Sequence, residues 1–219
     1  MTSENMAILK KNKVYFGDKA LTADKVEKEI EQGLALLESV KAKVVSFFGS
    51  HTIPEGDPRA IHAHDLAMRL GEKGFAICTG GGPGIMKAAN TGAIDAGVPS
   101  IGLKEALLQG EQGVDKKFFT HEFAFEFMFV RRFALSIKSH ALVFYPGGFG
   151  TLNELFEYIV LMQTKIADQV PVICVGKEFW EGLFEWSAKH MIDDSLIKKE
   201  HLKLISIVDD IDDVVKLIK

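Results

Sequence analysis

Cysteine is nearly absent from this chain: 219 residues contain two, Cys78 and Cys174. Each sits in its own apolar run, so no disulfide framework or paired-cysteine metal site can be assembled, and both are expected to be buried free thiols. Proline is also sparse, at six residues. No Pro-, Gly- or Ser-rich linker divides the chain, which predicts one α/β domain over residues 43–219 preceded by a helical extension over 1–42. Excess basic charge is missing as well. Lys and Arg number 26 against 30 Asp and Glu, a net charge of −4, so the chain lacks the electrostatic footprint of a general nucleic-acid binder. No apolar run approaches the ~20 residues needed to cross a bilayer, and the first residues lack the basic and apolar order of a secretory leader. A cytoplasmic protein with no nucleic-acid or membrane partner is expected. Finally, HExxH, Gly-x-Ser-x-Gly and Gly-Lys-Ser/Thr are all absent. No metal site, esterase elbow or P-loop is predicted.

What is present is an alternation of apolar runs and helical patterns. Val26, Ile30, Leu34, Leu37 and Val40 form one helical stripe in the extension. Strands are predicted at 43–48, 75–78, 98–103, 141–145, 170–175 and 204–208, with helices between most of them. Residues 104–122 have weak periodicity and read as an irregular connection with room for one short strand. Alternating β and α units predict a parallel sheet covered by helices, with ligands at the C-terminal strand ends. Three turns fall on that edge: Gly49-Ser50, the run 80–84 with Gly81, Gly82 and Gly84, and Pro146-Gly147-Gly148-Phe149-Gly150-Thr151. Strand, glycine turn and helix N-terminus together offer free N–H groups at the positive end of a helix dipole, which suits a phosphate. Two such turns in one domain point to a mononucleotide-sized site.

The segment 123–137 is the most apolar of the chain. Its phenylalanines alternate as in a strand, but its length and its continuation through Leu135 and Ile137 predict a buried helix. Arg131 and Arg132 lie in its middle, where an arginine is costly without an anion. A buried ion pair or a subunit interface accounts for either one alone; as a pair beside the glycine strand, they favour at least one guanidinium facing the ligand. Glu154 and Glu157 share a face of the next helix. Acids are favoured at a helix start in any case, but the phosphate site beside Glu154 marks it as a candidate general base or cation stabiliser. His51 is a weaker ligand candidate. His62 and His64 face different ways and make no metal pair, while Asp209, Asp210, Asp212 and Asp213 read as capping residues.

These residues resemble the LONELY GUY (LOG) family of cytokinin riboside 5′-monophosphate phosphoribohydrolases, many labelled "lysine decarboxylase". Residues 146–154 match the motif PGGxGTxxE. The resemblance runs over roughly residues 43–187 and includes Phe48-Gly49-Ser50, Ala89-Asn90, Glu111-Gln112, Met128, Arg131-Arg132, Gln163-Thr164-Lys165 and Phe179-Trp180. It implies a Rossmann-like doubly wound fold, a homodimer or larger assembly, and no cofactor. The implied reaction cleaves a nucleoside 5′-monophosphate into free base and ribose 5-phosphate. By position Arg131 and Glu154 are the implied catalytic residues. Gly49, Ser50, Gly81, Gly82, Gly84, Met128, Arg132, Pro146, Gly147, Gly148, Gly150, Thr151 and Glu157 are the implied substrate and phosphate contacts. Two positions depart from the family: His51-Thr52 stand where many relatives have an arginine, and Arg132 where lysine is frequent. A related class binds a molybdenum cofactor without catalysis, and retention of Arg131 and Glu154 favours the enzyme.

Overall fold

The computed structural model describes residues 19–106 and 114–218. Helix α1 (Lys19–Ser39) leads into β1 (Val44–Phe48), α2 (Pro58–Glu72), β2 (Ala76–Thr79), α3 (Ile85–Asp95) and β3 (Ser100–Glu105). A 3-10 turn at Lys116–Phe118 precedes β4 (His121–Phe125), α4 (Met128–Ile137), β5 (Ser139–Phe144), α5 (Phe149–Gln163), β6 (Val172–Val175) and α6 (Lys177–Ser187). The chain closes with β7 (Ile205–Val208) and α7 (Ile211–Leu217). The seven strands form one sheet in the order β4-β3-β2-β1-β5-β6-β7, every neighbouring pair parallel. This is the doubly wound Rossmann-like architecture, with its strand order reversing between β1 and β5.

Alternation along β1 explains the two layers. Val44 and Phe48 join an apolar cluster with α1, α4, α5 and α6, while Val45 and Phe47 face the opposite cluster with α2, α3 and α7. Burial on both faces is what makes the strands read as continuous apolar runs. Cys78 and Cys174 are buried and free, and burial pushes the Cys78 thiol up to about 12, so it carries no thiolate near neutrality. Asp210 caps α7, its Oδ1 accepting from the N–H groups of Asp212 and Asp213. Among the described residues no helix is long and apolar enough to cross a membrane.

The phenylalanine-rich segment differs from its expectation. Residues 121–125 form the edge strand β4, and the helix begins only at Met128. The alternation of Phe123 and Phe125 is therefore genuine strand periodicity, with β4 paired to β3 through Leu103↔Phe123 and Glu105↔Phe125. Nor is α4 buried all round. Val130, Arg131, Ala134 and Leu135 point inward, whereas Phe129, Phe133 and Ile137 are exposed.

The break between β4 and α4 is held by a residue from α1. Glu29, 8% exposed, accepts the N–H of Glu126 at 2.6 Å and of Phe127 at 3.2 Å. Phe127 opens α4 without a side-chain cap of its own, so this carboxylate does the work of a helix cap. Lys25 adds an ion pair to Glu126 at 3.3 Å. Replacing Glu29 with Ala should cost about 1–2 kcal/mol of stability, as loss of a buried cap does. Urea denaturation measures it, and Glu29→Gln, which keeps one acceptor oxygen, should lie between the two.

Candidate active site

A cleft of about 780 Å³ opens where the strand order reverses, bounded by the ends of β1, β2, β3 and β5 and the first turns of α4 and α5. Three loops are sewn together along its rim. Ser50 N–H donates to Pro146 O at 3.1 Å, and Ile85 N–H donates to Ser50 O at 3.1 Å. The Gly80-to-Gly84 turn rests on a buried polar network, in which Thr79 Oγ1 donates to Asn90 Oδ1 and accepts Gly81 N–H at 2.9 Å. Asn90 Nδ2 continues to Ser100 Oγ at 2.8 Å.

Arg131 enters from the first turn of α4 and is 8% exposed. Its Nε donates to Leu103 O at 2.7 Å, within β3, and its Nη2 to Gly80 O at 3.1 Å, just past β2. A Cβ at position 80 would stand 2.2 Å from Arg131 Nη2, so glycine there makes room for the guanidinium. The remaining nitrogen, Nη1, faces Glu154 Oε1 at 3.9 Å. Glu154 comes from the second turn of α5, whose N-cap is Gly148. Burial pushes its carboxyl up to about 7; Arg131 and then Arg132 pull it back down, and Glu157 pushes it up slightly. Desolvation outweighs the arginines because no tight ion pair forms.

The helix itself begins at Phe149, two residues earlier than its apolar pattern suggests, which places the N–H groups of Phe149, Gly150 and Thr151 at the mouth of α5. Thr151 is buried, and a Cβ at position 147 would meet its Oγ1 at 2.2 Å, so Gly147 is needed for the loop to fold over the threonine. A helix start lined by free backbone N–H groups suits an anion.

Most of the residues singled out from the sequence line one cleft: Gly49, Ser50, Gly81, Gly82, Met128, Arg131, Arg132, Pro146, Gly147, Gly148, Gly150, Thr151 and Glu154, with His51 beside them. Two do not. Gly84 (φ +67) sits under the loop after β1, where a Cβ would strike Ser50 O at 2.3 Å, so it locks loops together and does not reach the lining. Glu157 is taken by an ion pair with Arg132 Nε between α5 and α4, outside the lining. Glu111 and Gln112 lie outside the described residues. The cleft also contains groups that sequence patterns missed. Lys104 and Glu105 follow β3, Arg59 projects from the start of α2, and Asn153 and Phe179 complete the wall. Lys104 is paired with Glu122 at 2.5 Å and lies over the Phe119 ring at 4.3 Å. His62 is bonded to Tyr145 and the Asp209 carbonyl, and His64 to Asp65 and Asp95. Among the described residues no group of three or more His, Cys, Asp or Glu is placed to hold a metal ion.

A family model described as possible lysine decarboxylase matches residues 86–218, more than half of the chain. The chain belongs to this family, the LOG family of the motif at residues 146–154. No curated protein matches it significantly. Among solved structures, the molybdenum cofactor binding protein of Rippkaea orientalis is similar at 18% identity and TM-score 0.60, covering 81% of this chain and 96% of that one. The structural-genomics protein TM1055 is similar at 22% identity and TM-score 0.59, covering 80% of this chain and 98% of that one. The molybdenum cofactor carrier protein of Chlamydomonas reinhardtii gives 18% and 0.56, covering 81% and 98%. At these identities the likeness is one of fold.

The raised Glu154 carboxyl has a stability consequence. A folded-state value of about 7 against an ordinary 4.5 means that its contribution is fully present below the ordinary value and is lost as pH rises through 7. Glu154→Gln should therefore be more stable than the parent at pH 8, by at most on the order of 3 kcal/mol, with the gap closing by pH 4.5. Chemical denaturation across that range measures it.

Proposed function

We propose that this chain hydrolyses the N-glycosidic bond of nucleoside 5′-monophosphates of the AMP or cytokinin riboside type, releasing free base and ribose 5-phosphate. The observation carrying this reading is the buried Glu154 carboxyl, poised at about 7 and facing a fixed guanidinium 3.9 Å away, one turn inside the helix whose start forms the anion site. In this reading the 5′-phosphate docks on the N–H groups of residues 149–151, and the ribose then lies toward Glu154. Breaking the C1′–N bond builds positive charge on the ribose, which a carboxylate in a desolvated site stabilises. A water oxygen ends on C1′ and its proton on the departing base, with Glu154 placed to pass that proton. Arg131, tied to two backbone carbonyls, keeps Glu154 from staying fully protonated at neutral pH.

A non-catalytic nucleotide or molybdenum-cofactor carrier is the rival reading, supported by the carriers among the proteins of similar fold. A carrier has no need of a carboxyl held near neutrality beside its ligand, and that feature favours the enzyme. The decarboxylase in the family's description finds less support. Lys104 is the one lysine in the lining among the described residues and is already paired with Glu122, while Lys189 and His190 lie in a π-helical turn outside the cleft.

Incubation with AMP and related monophosphates should release free base, and Glu154→Gln should lower kcat at least a hundredfold while the Kd for AMP changes little. Turnover unchanged in that variant, or no base released from any monophosphate, rejects the assignment. Because the carboxylate form works, kcat/KM should rise with pH about a midpoint near 7.

We further propose that a second copy of the chain covers α4. Phe129, Phe133 and Ile137 form an i, i+4, i+8 stripe, 52%, 42% and 52% exposed, an unusual apolar area for an unpartnered surface. Light scattering should report a dimer or larger assembly, and Phe133→Glu should shift it toward the monomer.

A further inference from the structure

A second cleft, of about 530 Å³, lies beside the first on the same strand edge, and Arg59, Pro146 and Phe179 line both. Its floor is Tyr145 and Val175 at the ends of β5 and β6, and its far wall carries Glu178 and Asp209. Pro146 starts the phosphate loop, so the second cleft borders the phosphate loop itself.

The valences left open in this second cleft define what fits. Arg59 is oriented by Asp57, whose Oδ1 and Oδ2 accept from Nε at 2.9 Å and Nη2 at 2.7 Å, leaving Nη1 for a ligand. The Arg59 guanidinium and the N–H it caps hold Asp57 down at about 2, so the pair is ionised at neutral pH. Asp209 Oδ1 accepts the N–H groups of Gly176 and Lys177 at 3.0 and 2.8 Å, which leaves Oδ2 open. Glu178 is an exposed carboxylate. His62 is already committed. Its Nε2 lies 2.7 Å from the Asp209 carbonyl, which can only accept, so Nε2 carries a proton there, and Nδ1 is taken up by Tyr145 Oη at 2.8 Å. The cleft thus offers one guanidinium edge near the phosphate loop and two carboxylates beyond it. A bare second phosphate would meet more negative than positive charge. A phosphate followed by hydroxyl groups meets a partner at each step, because carboxylates accept from hydroxyls and a guanidinium edge suits a phosphate.

We propose that the second cleft receives what extends past the 5′-phosphate of a nucleoside diphosphate-linked sugar. The distal phosphate sits at Arg59, and the sugar hydroxyls sit on Asp209 Oδ2 and Glu178 against the faces of Phe179 and Pro146. The inference rests on the reading of residues 147–151 as the phosphate cradle.

Calorimetric titration of the Glu154→Gln chain, which holds nucleotides without cleaving them, with AMP, ADP and ADP-ribose tests this. ADP-ribose should bind at least tenfold more tightly than AMP, with ADP weaker than ADP-ribose. Arg59→Ala should erase the advantage of ADP-ribose over AMP, and Glu178→Ala should weaken ADP-ribose more than ADP. AMP binding as tightly as ADP-ribose, or Arg59→Ala weakening both by the same factor, overturns the proposal. Base release from AMP by the unsubstituted chain reports separately on the hydrolase. Cleavage of AMP with no ADP-ribose preference rejects the second cleft alone, and preference without cleavage rejects the hydrolase alone.

Discussion

The site depends on how one buried guanidinium is satisfied. Arg131 sits at the C-terminal edge of a parallel sheet, where the backbone carbonyls of Leu103 in β3 and Gly80 just past β2 take its Nε and Nη2. Neutral acceptors compensate desolvation without cancelling charge. The positive charge therefore remains available, and Glu154 faces it at 3.9 Å, a distance too long for a direct hydrogen bond. Had Glu154 closed on the arginine, attraction would have outweighed burial and pulled the acid below its usual range. Because the backbone holds the guanidinium back, burial prevails and the acid stays near neutrality.

Topology brings the remaining parts to the same place. In a doubly wound sheet the crevice forms where the strand order turns, between β1 and β5 here. The loops after β1, β2 and β5 converge on it, and the bonds from Ser50 to Pro146 and from Ile85 to Ser50 fix their mutual spacing. Gly80 and Gly147 are then required by close approach, one by Arg131 and one by Thr151. The walls of the crevice are loop backbone, while Arg131 stands on the first turn of α4 and Glu154 on the second turn of α5. Residues on helices are held more precisely than residues on loops.

Much of this arrangement was legible in the chain. Strongly punctuated segments such as 141–148, an apolar run cut by Pro146 and glycines, can adopt few conformations, and the match at 146–154 was correspondingly specific. Segment 123–137 was misread because two periodicities overlap in it: Phe123 and Phe125 obey the strand period, while Val130, Ala134 and Leu135 obey the helix period. The boundary between them is set by Glu29, 97 residues from Glu126, beyond the reach of local pattern. Spacing alone leaves Glu154 and Glu157 equivalent; the glycine turn beside Glu154 singles it out in the sequence, and the ion pair that holds Glu157 to Arg132 exists only in three dimensions. Arg59 gave no signal at all, being a charged residue at the start of a surface helix whose relation to Pro146 exists only in three dimensions.

The Glu29 clamp also bears on the order in which the molecule assembles. The helix bearing both arginines has no side-chain cap of its own, and the carboxylate that closes its end is made early and must wait for residues 126 and 127 to appear. Closing a loop of that size costs entropy that only the assembled sheet can recover. Nascent chains would therefore carry α4 with an open, fraying end until β4 has joined the sheet and α1 has docked. Competence of the cleft would thus be among the last properties the folding chain acquires, because Met128, Arg131 and Arg132 of that helix line it.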